Sequence, residues 1–264
     1  MAAFGAKDVQ TLRQSTGVGM LDAKRALEAC DGDMERAVVW LREQGLASHA
    51  KRSDREASEG AVAVGRSGSV ASIVQLRSET DFVAKSEAFV SLAQELADLV
   101  AAKGVDAVDE RSEQLDHLKT TLKENISVGR VVRIEAPAGG SVDAYLHLQQ
   151  GRGVNAVVVA LDGGSEELAH DVATHIAFAR PAYVRRDQVP EDEVAAERET
   201  VERIARNEGK PEAALPKIVE GRLNGWYRER VLVDQAYVKD EKRTIAQLLG
   251  PATVVEFAQV VVGD

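Results

Sequence analysis

The feature that most constrains this chain is a repeated order of patterns. Residues 61–66 and 69–77 are two runs rich in valine and isoleucine joined around Ser67 and Gly68, and residues 141–148 and 154–161 are two strand-like runs joined at Gly151-Arg152-Gly153. Such pairs, flanking a short glycine turn, predict β-hairpins. Helical spacing follows each pair: Phe89, Leu92, Ala93, Leu96, Leu99 and Val100 after the first, with Leu115, Leu118 and Leu122 marking a further helix, and Leu168, Val172 and Ile176 after the second. A strand over 127–135 closes the first unit, while 231–238 and 253–262, around a short helix over 244–249, would rejoin the second. The recurrence predicts an α+β fold with a duplicated, two-part antiparallel sheet-plus-helix core, one part over 59–140 and the other over 141–185 and 229–264.

Two helical pieces lie outside that core. In residues 1–45, Val9 and Leu12 space a first helix, Gly17 and Gly19 break it, and Leu21 and Leu27 mark a second that ends at Asp31-Gly32-Asp33. Asp33 can cap a third, carrying Val38, Trp40 and Leu41 and expected to stop at Gly45, which completes a three-helix N-terminal module. Residues 46–58 lose apolar character and read as a linker. Over 186–228, Val194, Val201 and Ile204 form one narrow stripe, Asn207-Glu208-Gly209-Lys210-Pro211 breaks the chain, and Ile218, Val219, Leu223 and Trp226 form a second stripe. The two helices should fold back as an antiparallel hairpin, inserted into the second core part and projecting from it.

Composition narrows the chemistry. With 264 residues and 44% hydrophobic content the chain can bury a core yet exceeds one ordinary compact unit. Its 43 acidic against 33 basic residues argue against a phosphate backbone as partner, and the Lys51, Arg52 and Arg55 cluster is most simply a solvated linker. The single cysteine, Cys30, cannot form an internal disulfide, residues 1–10 lack the order of a signal peptide, and no apolar run is long enough to cross a bilayer, so a soluble cytoplasmic protein is expected. There is no phosphate loop, and the glycine-arginine turns lack the lysine and following helix that nucleotide binding needs, so no cofactor is expected. His170 and His175 stand five apart, on different faces of a helix instead of the shared face of a metal pair. Glu166 and Glu167 read as first-turn residues complementing a helix dipole, and no nucleophile is placed beside a base.

The most informative segment is Thr80-Asp81-Phe82-Val83-Ala84-Lys85, between a strand and an amphipathic helix. Its residues admit two readings: Thr80 or Asp81 caps a helix while Phe82 folds inward as a staple, or Phe82 is presented outward as an aromatic anchor with Asp81 fixing its approach. Residues 9–27, residues 80–85, and Gly209-Lys210-Pro211 followed by Val219-Glu220-Gly221-Arg222 occur in the same order as in the bacterial translation elongation factor Ts family, which the chain resembles over essentially its full length. The resemblance implies a guanine nucleotide exchange factor for elongation factor Tu, bound in GDP-loaded and nucleotide-free states, with no membrane or direct nucleic-acid contact and no covalent chemistry. It implies that Thr80, Asp81, Phe82 and Val83 push on the partner's nucleotide domain and dislodge its Mg2+, that Met20 and Leu21 grip the same domain, and that Ile126, Tyr145 and His147 add contacts.

The chain departs from the family pattern in places. Ser78 stands where cysteine is usual, so no thiol chemistry is needed, and Gln149-Gln150-Gly151-Arg152-Gly153 strays from the usual glycine-arginine-isoleucine-glycine run beside the Tyr145 and His147 contacts. The contribution of a further carboxy-terminal helical piece, carried by some members, is not expected here. A rival reading is an adaptor: residues 1–45 also resemble ubiquitin-associated three-helix modules, and helical hairpins commonly dimerise. A hydrolase or metal enzyme has no motif behind it.

Overall fold

The computed structural model describes residues 4–50 and 55–264; residues 51–54 of the expected linker, with Lys51 and Arg52, lie outside the described residues. The chain opens with α1 (Ala6–Thr16), α2 (Met20–Ala29) and α3 (Met34–Ala50). Val9, Leu12, Val18, Ala23, Ala26, Leu27, Ala37 and Leu41 form the small core of this module, and Cys30 is buried with them. The third helix does not stop at Gly45 but continues to Ala50. One glycine costs a helix only about 1 kcal/mol, which is not enough to end it.

The first core part begins with β1 (Glu59–Ser67) and β2 (Val70–Ser78), an antiparallel hairpin in which Ser67 pairs with Val70. Three helices follow, α4 (Asp81–Ala84), α5 (Glu87–Lys103) and α6 (Ser112–Leu122), before β3 (Ser127–Glu135) returns beside β2 and gives the order β1-β2-β3. The second part repeats this plan. β4 (Ser141–Gln149) and β5 (Arg152–Asp162) form a hairpin and α7 (Glu166–Ala179) follows. After the insertion formed by α8 (Glu191–Asn207) and α9 (Leu215–Arg230), the chain passes through β6 (Ala236–Tyr237), β7 (Asp240–Thr244) and α10 (Ile245–Leu249) to β8 (Thr253–Val261), which pairs with β5 in the order β4-β5-β8.

The two sheets pack face to face, and each outer face is covered by helix. On β2, Ala71 and Ile73 meet Val142, Ala156, Val158, Ala160, Ala258 and Val260 of the second sheet, whereas Val74 and Leu76 meet Phe89, Leu92, Leu96 and Val100 of α5. Alternate residues thus enter different cores, which is why β2 and β5 read as continuous apolar runs. On the far side, Val157, Val159 and Leu161 pack against Val172 and Ile176 of α7 and Ile245 of α10. Burying side chains of this size contributes about 1.5–3 kcal/mol each. Close approach is built in at Gly65, where a Cβ would stand 2.3 Å from the Ala97 carbonyl oxygen, so α5 can lie directly on β1. Ser72 Oγ donates to that same carbonyl at 2.6 Å.

Two other expectations need correction. Residues 231–238 do not form one continuous strand: Leu232–Asp234 is a 3-10 turn, Val231 before it makes a single bridge to Tyr183, and only Ala236–Tyr237 forms a strand, paired with β7. The apolar residues there do not alternate. Val231 and Leu232 are consecutive buried anchors, with Tyr237 a third. In the α8–α9 hairpin, Val201 packs with Val219 and Leu223, but Ile204 is exposed and Ala205 is buried in its stead. No helix among the described residues is long and apolar enough to cross a membrane.

Candidate functional site

The turn after β2 is built from polar contacts at its base and an apolar tip. Thr80 has extended backbone (φ −122°, ψ 152°) and caps α4, its hydroxyl accepting from the Val83 amide at 3.4 Å. Ala84 is buried in the first core and Val83 packs at its edge, so the inward positions of this single turn are filled by small side chains. Phe82 falls on the opposite side and is 83% exposed. The sequence left two readings open, and the structure combines half of each: the cap is made, and the phenyl ring points outward.

The base of the turn is tied on both sides. Glu124, between α6 and β3, accepts the Glu79 and Thr80 amides on one carboxylate oxygen, each at 3.1 Å, and the Thr80 hydroxyl on the other. Glu79 accepts the Asn125 amide at 2.7 Å and meets Arg55 at 3.4 Å. Ser78, fully buried, donates to the Thr80 carbonyl at 3.1 Å, so its hydroxyl serves as a hydrogen-bond donor beneath the turn. Asp81 pairs with Lys85 one helical turn on, and chiefly this hydrogen bond holds its carboxyl below the ordinary aspartate value. The nearby Arg152 charge acts in the same direction.

Other elements converge on this end. Met20 and Leu21, in the first turn of α2, are 51% and 60% exposed, and Asp22 beside them pairs at 2.7 Å with Lys123, the residue before Glu124. The N-terminal module packs through α3 on α6, with Arg42 bonded to Glu113 at 3.2 Å. At the β4–β5 turn, Arg152 bonds Glu59 at 2.8 Å and the Gly60 carbonyl, anchoring the second sheet to the start of β1. His147 is exposed on β4 and Leu148 beside it is 63% exposed. Tyr145 is half-buried, its ring 6.3 Å from that of His170 on α7.

Ile126 is placed otherwise. It has no exposed surface and lies in the first core with Leu76, Phe89 and Leu118, so in this conformation it supports the Phe82 turn from beneath and offers no surface of its own for the contact the resemblance implied. Sequence reasoning missed Glu124, Arg152 and Leu148. Glu124 lies 44 residues from Thr80, beyond any local pattern, while Leu148 is apolar at the polar end of a hairpin, the one signal that could have flagged it. His175 is fully buried between Gln235 and the Val238 amide, His170 faces Asp143, and the described residues hold no cluster of three or more acidic, histidine or cysteine side chains able to bind a metal.

A family model described as Elongation factor TS matches residues 79–264, beginning at the glutamate that ties the Phe82 turn. The elongation factor Ts of Kineococcus radiotolerans is 46% identical over 268 aligned positions that cover 96% of each chain. Those of Beutenbergia cavernae and Clavibacter michiganensis subsp. michiganensis are 43% and 42% identical over 288 and 277 positions, each alignment covering the whole of both chains. These full-length matches extend the likeness through the three-helix module, and the chain belongs to the elongation factor Ts family.

Proposed function

We propose that this chain is a guanine nucleotide exchange factor for elongation factor Tu, acting in the cytoplasm on the GDP-bound partner and stabilising its nucleotide-free form. The observation that carries the reading is an 83% exposed phenylalanine on a turn whose base is tied by Glu124, Glu79 and Ser78. Leaving so large an apolar group in water is unfavourable for the free protein, and a rigid aromatic is the kind of side chain that anchors an interface. Phe82 is the wedge, Asp81 and Thr80 set its approach, and Val83 seats it on the core. Met20 and Leu21 grip the same partner domain, and His147 with Tyr145 add contacts from the second sheet.

Exchange then follows from linkage. A factor that binds the empty partner more tightly than the loaded one must weaken nucleotide by the same free energy, and nucleotide must weaken the factor in return. Mg2+ neutralises the phosphates of the partner's nucleotide, so a wedge that displaces the ion raises the nucleotide off-rate with no bond made or broken in this chain. The factor needs no cofactor for this, and its net charge of −10 disfavours nucleic acid as a direct contact. The module over 1–45, the core parts over 59–140 and over 141–185 with 229–264, and the projecting hairpin over 186–228 divide the surface among them.

The test is release of a fluorescent GDP from purified elongation factor Tu at fixed Mg2+, with and without this chain. A saturable acceleration that shrinks as Mg2+ is raised supports ion displacement. Binding without acceleration would favour an adaptor.

A further inference from the structure

Three consecutive residues between α6 and β3 each hold a different segment of the chain. Lys123, in the left-handed conformation (φ 58°) that ends α6, reaches Asp22 of the N-terminal module at 2.7 Å. Glu124 takes the amides of Glu79 and Thr80 at 3.1 Å together with the Thr80 hydroxyl. Asn125 donates its backbone amide to the Glu79 carboxylate and its side-chain amide to the Arg55 carbonyl, both at 2.7 Å.

We propose that Glu124 is a positioning residue for nucleotide exchange: it fixes the Thr80 turn so that Phe82 is presented in one orientation, and through Lys123 the same brace sets the N-terminal module against that turn. The inference rests on the exchange reading above and deepens it. α4 spans four residues, too few to hold helical geometry unaided, because a first helical turn fixes several dihedrals for a single hydrogen bond. The amides of Glu79 and Thr80 lie beyond the last ladder pair, Glu59 with Ser78, and so need another acceptor. A half-buried carboxylate is a strong one, since hydrogen bonds to an ionised acceptor are about twice as strong as neutral ones. A wedge held this way has already met its ordering cost before the partner arrives, and a loose one would meet it during exchange.

The experiment measures fluorescent GDP release from elongation factor Tu across a range of concentrations of the intact wild-type chain, Glu124→Ala and Glu124→Gln. The expected result is a saturating rate about tenfold lower for Glu124→Ala, with half-saturation moved less than about threefold, because binding through Met20 and Leu21 persists while the wedge is mispositioned. Glu124→Gln keeps an acceptor for the two amides and a donor for the Thr80 hydroxyl, and should stay within about threefold of wild type. Amide exchange at Glu79 and Thr80 should quicken in Glu124→Ala while α5 keeps its protection. A Glu124→Ala protein with the wild-type saturating rate overturns the proposal, as does a loss that glutamine fails to rescue. A wild-type chain that leaves release unchanged brings down the exchange reading itself, an outcome separate from a variant that matches an active wild type.

Discussion

Truncating Phe82 to alanine should separate exchange from folding. The ring is 83% exposed, so an interface that covers it removes about 150 Å² of apolar surface from water. At about 25 cal/mol per Å², and allowing for the methyl group that alanine retains, the loss is about 2–3 kcal/mol. A factor of ten corresponds to about 1.4 kcal/mol, so the acceleration of GDP release should fall about 30- to 150-fold. The same exposure means that the free protein loses almost nothing: Thr80 still caps α4 and Ala84 still fills the core, so the urea midpoint should shift by less than the equivalent of about 0.5 kcal/mol. The assay is fluorescent GDP release followed to saturation, paired with urea unfolding of the same preparation. A Phe82→Ala chain that reaches the wild-type saturating rate would refute the wedge, and a large drop in stability would refute the claim that the ring stands apart from the core.

Other residues give further checks. Ile126→Val should cost about 0.5–1.5 kcal/mol of stability in urea and leave the saturating exchange rate unchanged, because the side chain is buried in the first core; a pure loss of partner affinity would reassign it to the interface. Gly65→Ala places a methyl carbon 2.3 Å from the Ala97 carbonyl, a clash of helix against strand that should cost about 1–3 kcal/mol in the same measurement. Burial holds the His175 pKa below its ordinary value of 6.5, so the unfolded chain takes up a proton first as pH falls. His175 therefore favours the fold fully above pH 6.5, and its contribution declines as pH drops from there toward the lowered folded value; unfolding midpoints from pH 7.5 to 5 should fall more steeply for wild type than for His175→Gln.

The repeated hairpin-plus-helix order was legible because its signals are local. Turn glycines and valine-rich runs mark β1, β2, β4 and β5, and helical spacing marks α5 and α7, each within a short window. The sequence also singled out residues 80–85, though the residues alone left Phe82 free to point either way. Where local composition and tertiary role parted, the reading failed. The segment over 231–238 carries strand-forming residues but spends them on buried anchors below the hairpin, and Gly45 resembles a stop within a helix that continues.

By itself, then, the amino-acid sequence determined most of the strands and helices, that the two core parts repeat, and which family the chain resembles, since each depends on short-range periodicity or on motif order. The direction of Phe82, the burial of Ile126, and the placement of Asp22 against Lys123 and of Arg152 near Asp81 were decided by tertiary structure alone. They rest on contacts such as Glu124 with Thr80 and Arg152 with Glu59, whose partners lie 44 and 93 residues apart. A hydrogen bond across such a span leaves no periodic trace in the chain, because its two ends become neighbours only after the sheets have packed.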